Sequence, residues 1–219
     1  MRTSSAILLA CWAVALSAHA QGFKFSNPPE GAQAEAAQQA QRDATVSAQL
    51  ATPCRDRIRN RKIMVLIAEE TNGMVQAKQG GYSRHVDSIN TRLKGLGLKT
   101  YSAEEIRRQV AQEEIDAYFK NDPDRALSAS RRMAAQYVLR GVIATKATRN
   151  AMVNVNTVNI DMQFTLTDAA GRPVSTATAS NASYAGSDTS AMALTLIEER
   201  ADEVVARLYS DYCQNARGR

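Results

Sequence analysis

Histidine and cysteine are scarce: the 219-residue chain has two histidines and three cysteines. His19 and Cys11 fall in the first twenty residues, which read as a cleaved leader, so His85, Cys54 and Cys213 remain. Any Ser-His-Asp or Cys-His arrangement would have to use His85. That residue falls in the first turn of an amphipathic helix, beside Arg84 and off the apolar stripe, and is expected at the surface. One histidine and two distant cysteines do not supply the tetrahedral spacing of a zinc site. Neither G-x-x-x-x-G-K-[ST] nor G-x-G-x-x-G is present. No metal or cofactor is therefore expected, and the chain does not read as an enzyme. With 44% hydrophobic, 22% charged and only 5% aromatic residues, the composition is that of an ordinary globular protein, and the length suits one domain with an appendage.

The leader is itself informative. Arg2 supplies a positive start, Ala6 to Leu16 an apolar middle, and Ala18-His19-Ala20 a small-x-small cleavage site. The apolar run is too short for a bilayer core of roughly 30 Å, and no later stretch could span one. Residues 1–20 are thus expected to be a signal peptide and the remainder periplasmic, with no transmembrane segment. Leu8-Leu9-Ala10-Cys11 superficially resembles a lipoprotein box. It would leave almost no apolar segment before the cysteine, so lipid anchoring is not expected. In an oxidising compartment the remaining even pair, Cys54 and Cys213, reads as a disulfide.

The formal charge is +5. Export removes nucleic acid from the expected partners and leaves acidic envelope polymers, anionic lipid or an acidic protein face. The densest positive segment is Arg55, Arg57, Arg59, Arg61 and Lys62. Read as a strand, its alternation puts the four arginines on one face, either a solvated edge or a binding stripe.

Residues 21–53 form an Ala/Gln-rich linker or marginal helix: paired prolines at 28 and 29, then a run with high helix propensity and little to bury. Residues 54–219 are expected to form a single globular domain. Ile63 to Ala68 is a continuous apolar run that suits a strand covered on both faces. Tyr82, Val86, Ile89, Leu93 and Leu96 give a helix, Leu98 to Tyr101 a brief strand, and Ser102 with Glu105 a capping box for a helix through Ile106, Val110, Ile115 and Tyr118. Asn121 to Asp124 breaks that helix, and a shorter one runs from Arg125 to Ala135. Tyr137 to Ala144 is a second interior strand, in which Gly141 points to a close approach or a bulge.

Val158, Ile160, Met162, Phe164 and Leu166 then alternate with polar residues, giving one buried and one wet face. Asp168 to Arg172 turns the chain into a Thr/Ser/Ala-rich strand, Val174 to Tyr184, and a long helix closes it. The order β-α-β-α-(α)-β-β-β-α predicts an α/β (α+β) fold, anticodon-binding-domain-like. Its mixed sheet has about five strands, with helices mainly on one face. The wet face of Asn159, Asp161 and Gln163 is a candidate partner surface. Glu69 and Glu70 end the first strand, where open sheets often bind ligands, and with Gly80 and Gly81 they make a candidate ligand loop.

The strand Ile63 to Ala68, the segment YVLRGVI at 137–143, FTLTDAAGRPV at 164–174 and the terminal helix together resemble one envelope group. It contains the penicillin-binding-protein activator lipoproteins, the curli-secretion lipoprotein and the amino-terminal domain of the Tol translocation protein. The resemblance covers residues 60–212 and implies a non-enzymatic module that docks onto envelope machinery. In the activators a linker lets a small domain reach a peptidoglycan synthase, and residues 21–53 look like a shorter such linker. The hairpin at 153–184 is too polar for the lipid-facing strands of a curli-type pore. The expectation is a module that regulates or scaffolds envelope assembly, with an unidentified protein partner and possible self-association. A small-ligand carrier and a hydrolase using His85 are the alternatives.

Overall fold

Ile63 to Ala68 is the only long uninterrupted apolar run after the leader, and it becomes the strand that everything else packs on. A computed structural model describes residues 30–215 except 72, 78–82, 121 and 153, with backbone only for Glu30, Thr71, Ser83 and residues 123–127. Signal-peptide residues 1–20, the start of the linker, and Gly80 and Gly81 lie outside the described residues. The chain divides into two units, Met1–Gln38 and Gln39–Arg219. The first is described from Glu30 onward, where it is helical. Helix α1 spans Glu30–Leu50, in the run read as a linker or marginal helix.

In the second unit, β1 (Lys62–Thr71) pairs in parallel with β4 (Tyr137–Asn150) through eight positions from Ile63↔Tyr137 to Glu70↔Ala144. Antiparallel β5 (Val155–Asp168) and β6 (Pro173–Ala185) extend the sheet from β4. On the far side of β1 lie a short antiparallel β2 (Met74–Gln76) and a parallel β3 (Lys99–Thr100). The order is β2-β1-β4-β5-β6 with β3 also on β1, six strands in all. The mixed α/β architecture is as read from the sequence; the added strand is β2, where a loop was expected. Gly73, at φ 78°, closes the tight β1–β2 hairpin.

Alternation along β1 builds two cores. Ile63, Val65 and Ile67 meet α3 (Ser83–Gly95) and α7 (Thr189–Asn215), together with the inner faces of β5 and β6. Met64, Leu66 and Ala68 meet α4 (Ala103–Gln109), α5 (Gln112–Phe119) and α6 (Pro123–Arg132). The sheet thus carries helices on its second face too, over β1 and the start of β4. This differs from the expectation of helices mainly on one face, and its cause is the full burial of even-numbered β1 side chains, which demand a cover. Among the described residues of this unit, no helix covers that second face over β5 and β6.

The Ser102 capping box forms as expected: Glu105 N–H donates to Ser102 Oγ at 3.2 Å, and Ser102 N–H to Glu105 Oε2 at 2.7 Å. The helix it opens is shorter than expected. Val110 turns extended (φ −122°, ψ 121°) and buries itself, and Ala111 N–H donates to Glu114 at 3.1 Å to start α5. Pro123 occupies the first position of α6, where its missing N–H costs nothing.

Cys54 and Cys213 are disulfide-bonded with Cα atoms 5.6 Å apart, both buried, across a separation of 159 residues. The bond ties the entry to β1 to the last turn of α7. Beside it, Tyr209 Oη donates to the Thr52 carbonyl at 2.5 Å.

Two predictions follow from this packing. A Cβ at Gly141 would lie 2.7 Å from Phe164 Cδ1, and that ring is fully buried. Gly141→Ala should therefore lower stability by about 1–3 kcal/mol through overpacking, and an unchanged urea midpoint would contradict it. Reduction should lower the melting temperature, since closing this loop is worth at most about 4–5 kcal/mol in the chain-entropy picture. Rapid alkylation of both thiols in the native, unreduced protein would contradict the bond.

Candidate interaction surface

The bare face is built by the even side of β4 and the facing positions of β5 and β6. On β5 it presents Asn159, half-buried, and Asp161 and Gln163, both exposed. Their register partners are Lys146, Ala144 and Val142 on β4 and Ala182, Ser180 and Thr178 on β6. The three predicted residues therefore stand in one row, Asp161 and Gln163 between uncharged neighbours and Asn159 beside Lys146. Among the described residues, Asp161 forms no ion pair. At the covered end, the Arg140 guanidinium lies 5.3 Å from the Phe119 ring centroid and donates to the Phe119 carbonyl at 3.3 Å. Burial lowers its pKa.

The cover over the adjoining part of this face is clasped by charge. Arg132 of α6 pairs with Glu114 of α5, and Ser128 Oγ donates to the same carboxylate at 2.9 Å. Together with the Ala111 N–H, these donors hold the Glu114 carboxyl down to about 2, the Arg132 guanidinium being the largest cause.

The basic segment departs from its expected form. Arg55–Ile58 is a short helix, α2, so the four arginines do not share one face of a strand. Ile58 is the segment's one large apolar side chain, and a helical turn lets it reach the core while the arginines stay outside. Asn60 then takes φ 63° and donates to the Gly97 carbonyl at 2.8 Å, steering the chain into β1. Arg55, Arg57, Arg59 and Arg61 are all exposed around that turn. The start of the sheet adds to them: Lys62 and Lys99, both exposed, are register partners on neighbouring strands. Like charges set side by side in a sheet repel, and an anionic counterpart would relieve them. This juxtaposition was not visible in the sequence because the two lysines are far apart in the chain.

The candidate ligand loop is only partly assembled. Glu69 and Glu70 are both half-buried and belong to the β1–β2 hairpin, facing Gln76 and Val75. They point to opposite sides of the sheet. Glu69 approaches His85 of α3, with Oε1 3.2 Å from Nδ1. His85 is therefore not the surface histidine expected: its side chain is only 14% exposed. Burial, with Arg84 beside it, lowers its pKa, and Glu198 opposes the shift. The stripe reading failed here because β1 approaches α3 from a side that helical spacing does not define. Among the described residues there is no group of three potential metal-binding His, Cys, Asp or Glu side chains. No helix among them is long and apolar enough to cross a membrane.

No family model and no curated protein matches the chain. Among solved structures, it is similar to lipoprotein GNA1162 from Neisseria meningitidis, at 14% identity and a TM-score of 0.48, over 63% of this chain and 92% of that one. It is similar to the PelC dodecamer subunit from Paraburkholderia phytofirmans, at 21% identity and a TM-score of 0.39, over 67% and 88% of the two chains. It is also similar to the LpoB C-terminal domain from Escherichia coli, at 14% identity and a TM-score of 0.34, over 59% and 93%.

The Glu114 clasp has a pH signature of definite sign. A carboxyl held below its unfolded value stabilises the fold fully above about 4.5, and that stability is lost as pH falls toward about 2. Glu114→Gln should lower the melting temperature at neutral pH and flatten part of the acid descent seen by thermal melts. An acid slope identical to that of the parent protein would contradict this.

Proposed function

We propose that this chain is an exported, non-enzymatic interaction module of the bacterial cell envelope. In this reading it regulates or scaffolds an envelope assembly machine, in the manner of a peptidoglycan synthase activator. Residues 1–20 serve as the leader and residues 21–53 as a tether for the domain at 54–219. The observation that carries the reading is the half-covered sheet. Helices α4 to α6 shield β1 but leave Asn159, Asp161 and Gln163 in a polar row. Asp161 and Gln163 line an open depression with Glu70, Thr178, Ser180 and Arg200, and a surface of that kind offers hydrogen bonds and a carboxylate to a protein partner. The basic turn at Arg55 to Arg61, joined by Lys62 and Lys99, is a second contact region suited to an acidic protein face or envelope polymer.

The carrier alternative is weaker because Glu69 is engaged by His85, and the two adjacent carboxylates face opposite sides of the sheet. A hydrolase would need a nucleophile aligned with His85; instead, the imidazole is turned into the β1–α3 contact with Glu69.

Photo-crosslinkers placed at Gln163 and Arg57 in the native host should capture one membrane- or peptidoglycan-associated protein, with Asp161→Lys abolishing capture from Gln163. Recovery of nothing but abundant porins would overturn the proposal.

A further inference from the structure

Strand β6 ends the sheet, so among the described residues one of its edges has no neighbouring strand. Its thirteen residues, Pro173–Ala185, include no Lys, Arg, Asp or Glu. Long exposed edges are ordinarily guarded by charge, bulges or brevity, because an open row of N–H and C=O groups invites another strand. At the other end of the sheet, β2 is guarded by brevity, at three residues. β6 has the proline at its start with a register shift beside it that leaves Val174 without a ladder partner, and side chains cap its two ends. Asn215 Nδ2 donates to the Val174 carbonyl at 2.7 Å, Ala182 N–H donates to Asn181 Oδ1 at 3.1 Å, and Ser183 Oγ donates to the Tyr184 carbonyl at 3.3 Å. These caps mark the even-numbered residues as the ones whose backbone groups point outward. Between the caps, Thr176, Thr178 and Ser180 are exposed, and among the described residues nothing outside the ladder bonds to their backbone.

We infer that this window pairs with the same window of a second copy, antiparallel, about a two-fold axis at Thr178. That register sets Thr178 opposite itself and Thr176 opposite the partner's Ser180, with every outward group in the window matched. A two-fold interface must be self-complementary, and α7 supplies an independent sign that this one is. Ser175 Oγ bonds Asp211 at 2.9 Å and Asn181 Nδ2 bonds Glu199 at 2.7 Å. The helix therefore runs antiparallel to the strand, and the midpoint of these two anchors is Thr178 on β6 and Val205 on α7. The axis through Thr178 consequently places Glu203 of each copy level with the partner's Arg207. Within each copy Glu203 pairs with Arg200 and Arg207 with Asp211, each at 3.1 Å, and with 38% and 59% of their side chains exposed Glu203 and Arg207 can also reach across the axis. An arbitrary foreign strand would not be matched in this way, so the occupant is a second copy. The inference concerns the edge of β6 and does not rest on the proposed function of the sheet face.

Sedimentation velocity of the purified, natively processed chain should show a concentration-dependent dimer. Thr178→Lys sets two lysines opposite each other on the axis and should give a monomer with an unchanged circular dichroism spectrum. Thr178→Cys should yield a covalent dimer that reducing agent dissolves. Glu203→Arg should weaken association several-fold, and adding Arg207→Glu should restore it. A parent protein that stays monomeric at high micromolar concentration, or a Thr178→Lys dimer as tight as the parent, would overturn the inference. So would failure of the double charge reversal to rescue.

Discussion

Burial of β1 on both faces is the constraint from which the rest of the domain follows. Six consecutive side chains, Ile63 to Ala68, are at most 2% exposed. Each such burial is worth about 1.5–3 kcal/mol for the larger apolar residues, so neither face can be left wet. One face takes α3 and α7, and the other takes α4 to α6. β5 makes no such demand on the second side, because its alternate residues are Asn, Asp, Gln and Thr. The cover stops where the demand stops, and a boundary between shielded and bare sheet is the consequence.

That boundary gives the domain two unlike ends. Around the entry to β1 lie Arg55 to Arg61, Lys62 and Lys99, drawn together by the helical turn at Ile58 and the β1–β3 register. Toward the centre of the bare face lies Asp161, between Ala144 and Ser180. Both regions present charged side chains on rigid strands or a disulfide-tied turn. The geometry of such a surface is held by the cores beneath it.

Local signals in the sequence were reliable where one segment decides its own structure. The Ser102–Glu105 cap, the alternation from Val158 to Leu166, the turn after Asp168 and the close approach at Gly141 were all legible. The same is true of the parallel-then-antiparallel sheet. What escaped was set by distant partners. Alternating arginines suggested a strand, but every available edge of β1 is taken, and Ile58 needed a turn to reach the core. His85 looked exposed by helical spacing, yet Glu69 arrives from another element. The clasp of Glu114 with Arg132 and the pairing of Lys62 with Lys99 each join residues that no window of sequence contains.

Carboxylate footprinting in intact envelopes, set against the purified protein, tests most directly whether the uncovered half of the sheet is the recognition surface. Asp161 on the bare face and Glu113 on the exposed side of α5 provide the comparison. Asp161 should label readily in the purified protein and be protected in the envelope, while Glu113 reacts alike in both. Equal labelling of Asp161 in the two settings, or protection of Glu113 alone, would contradict the account.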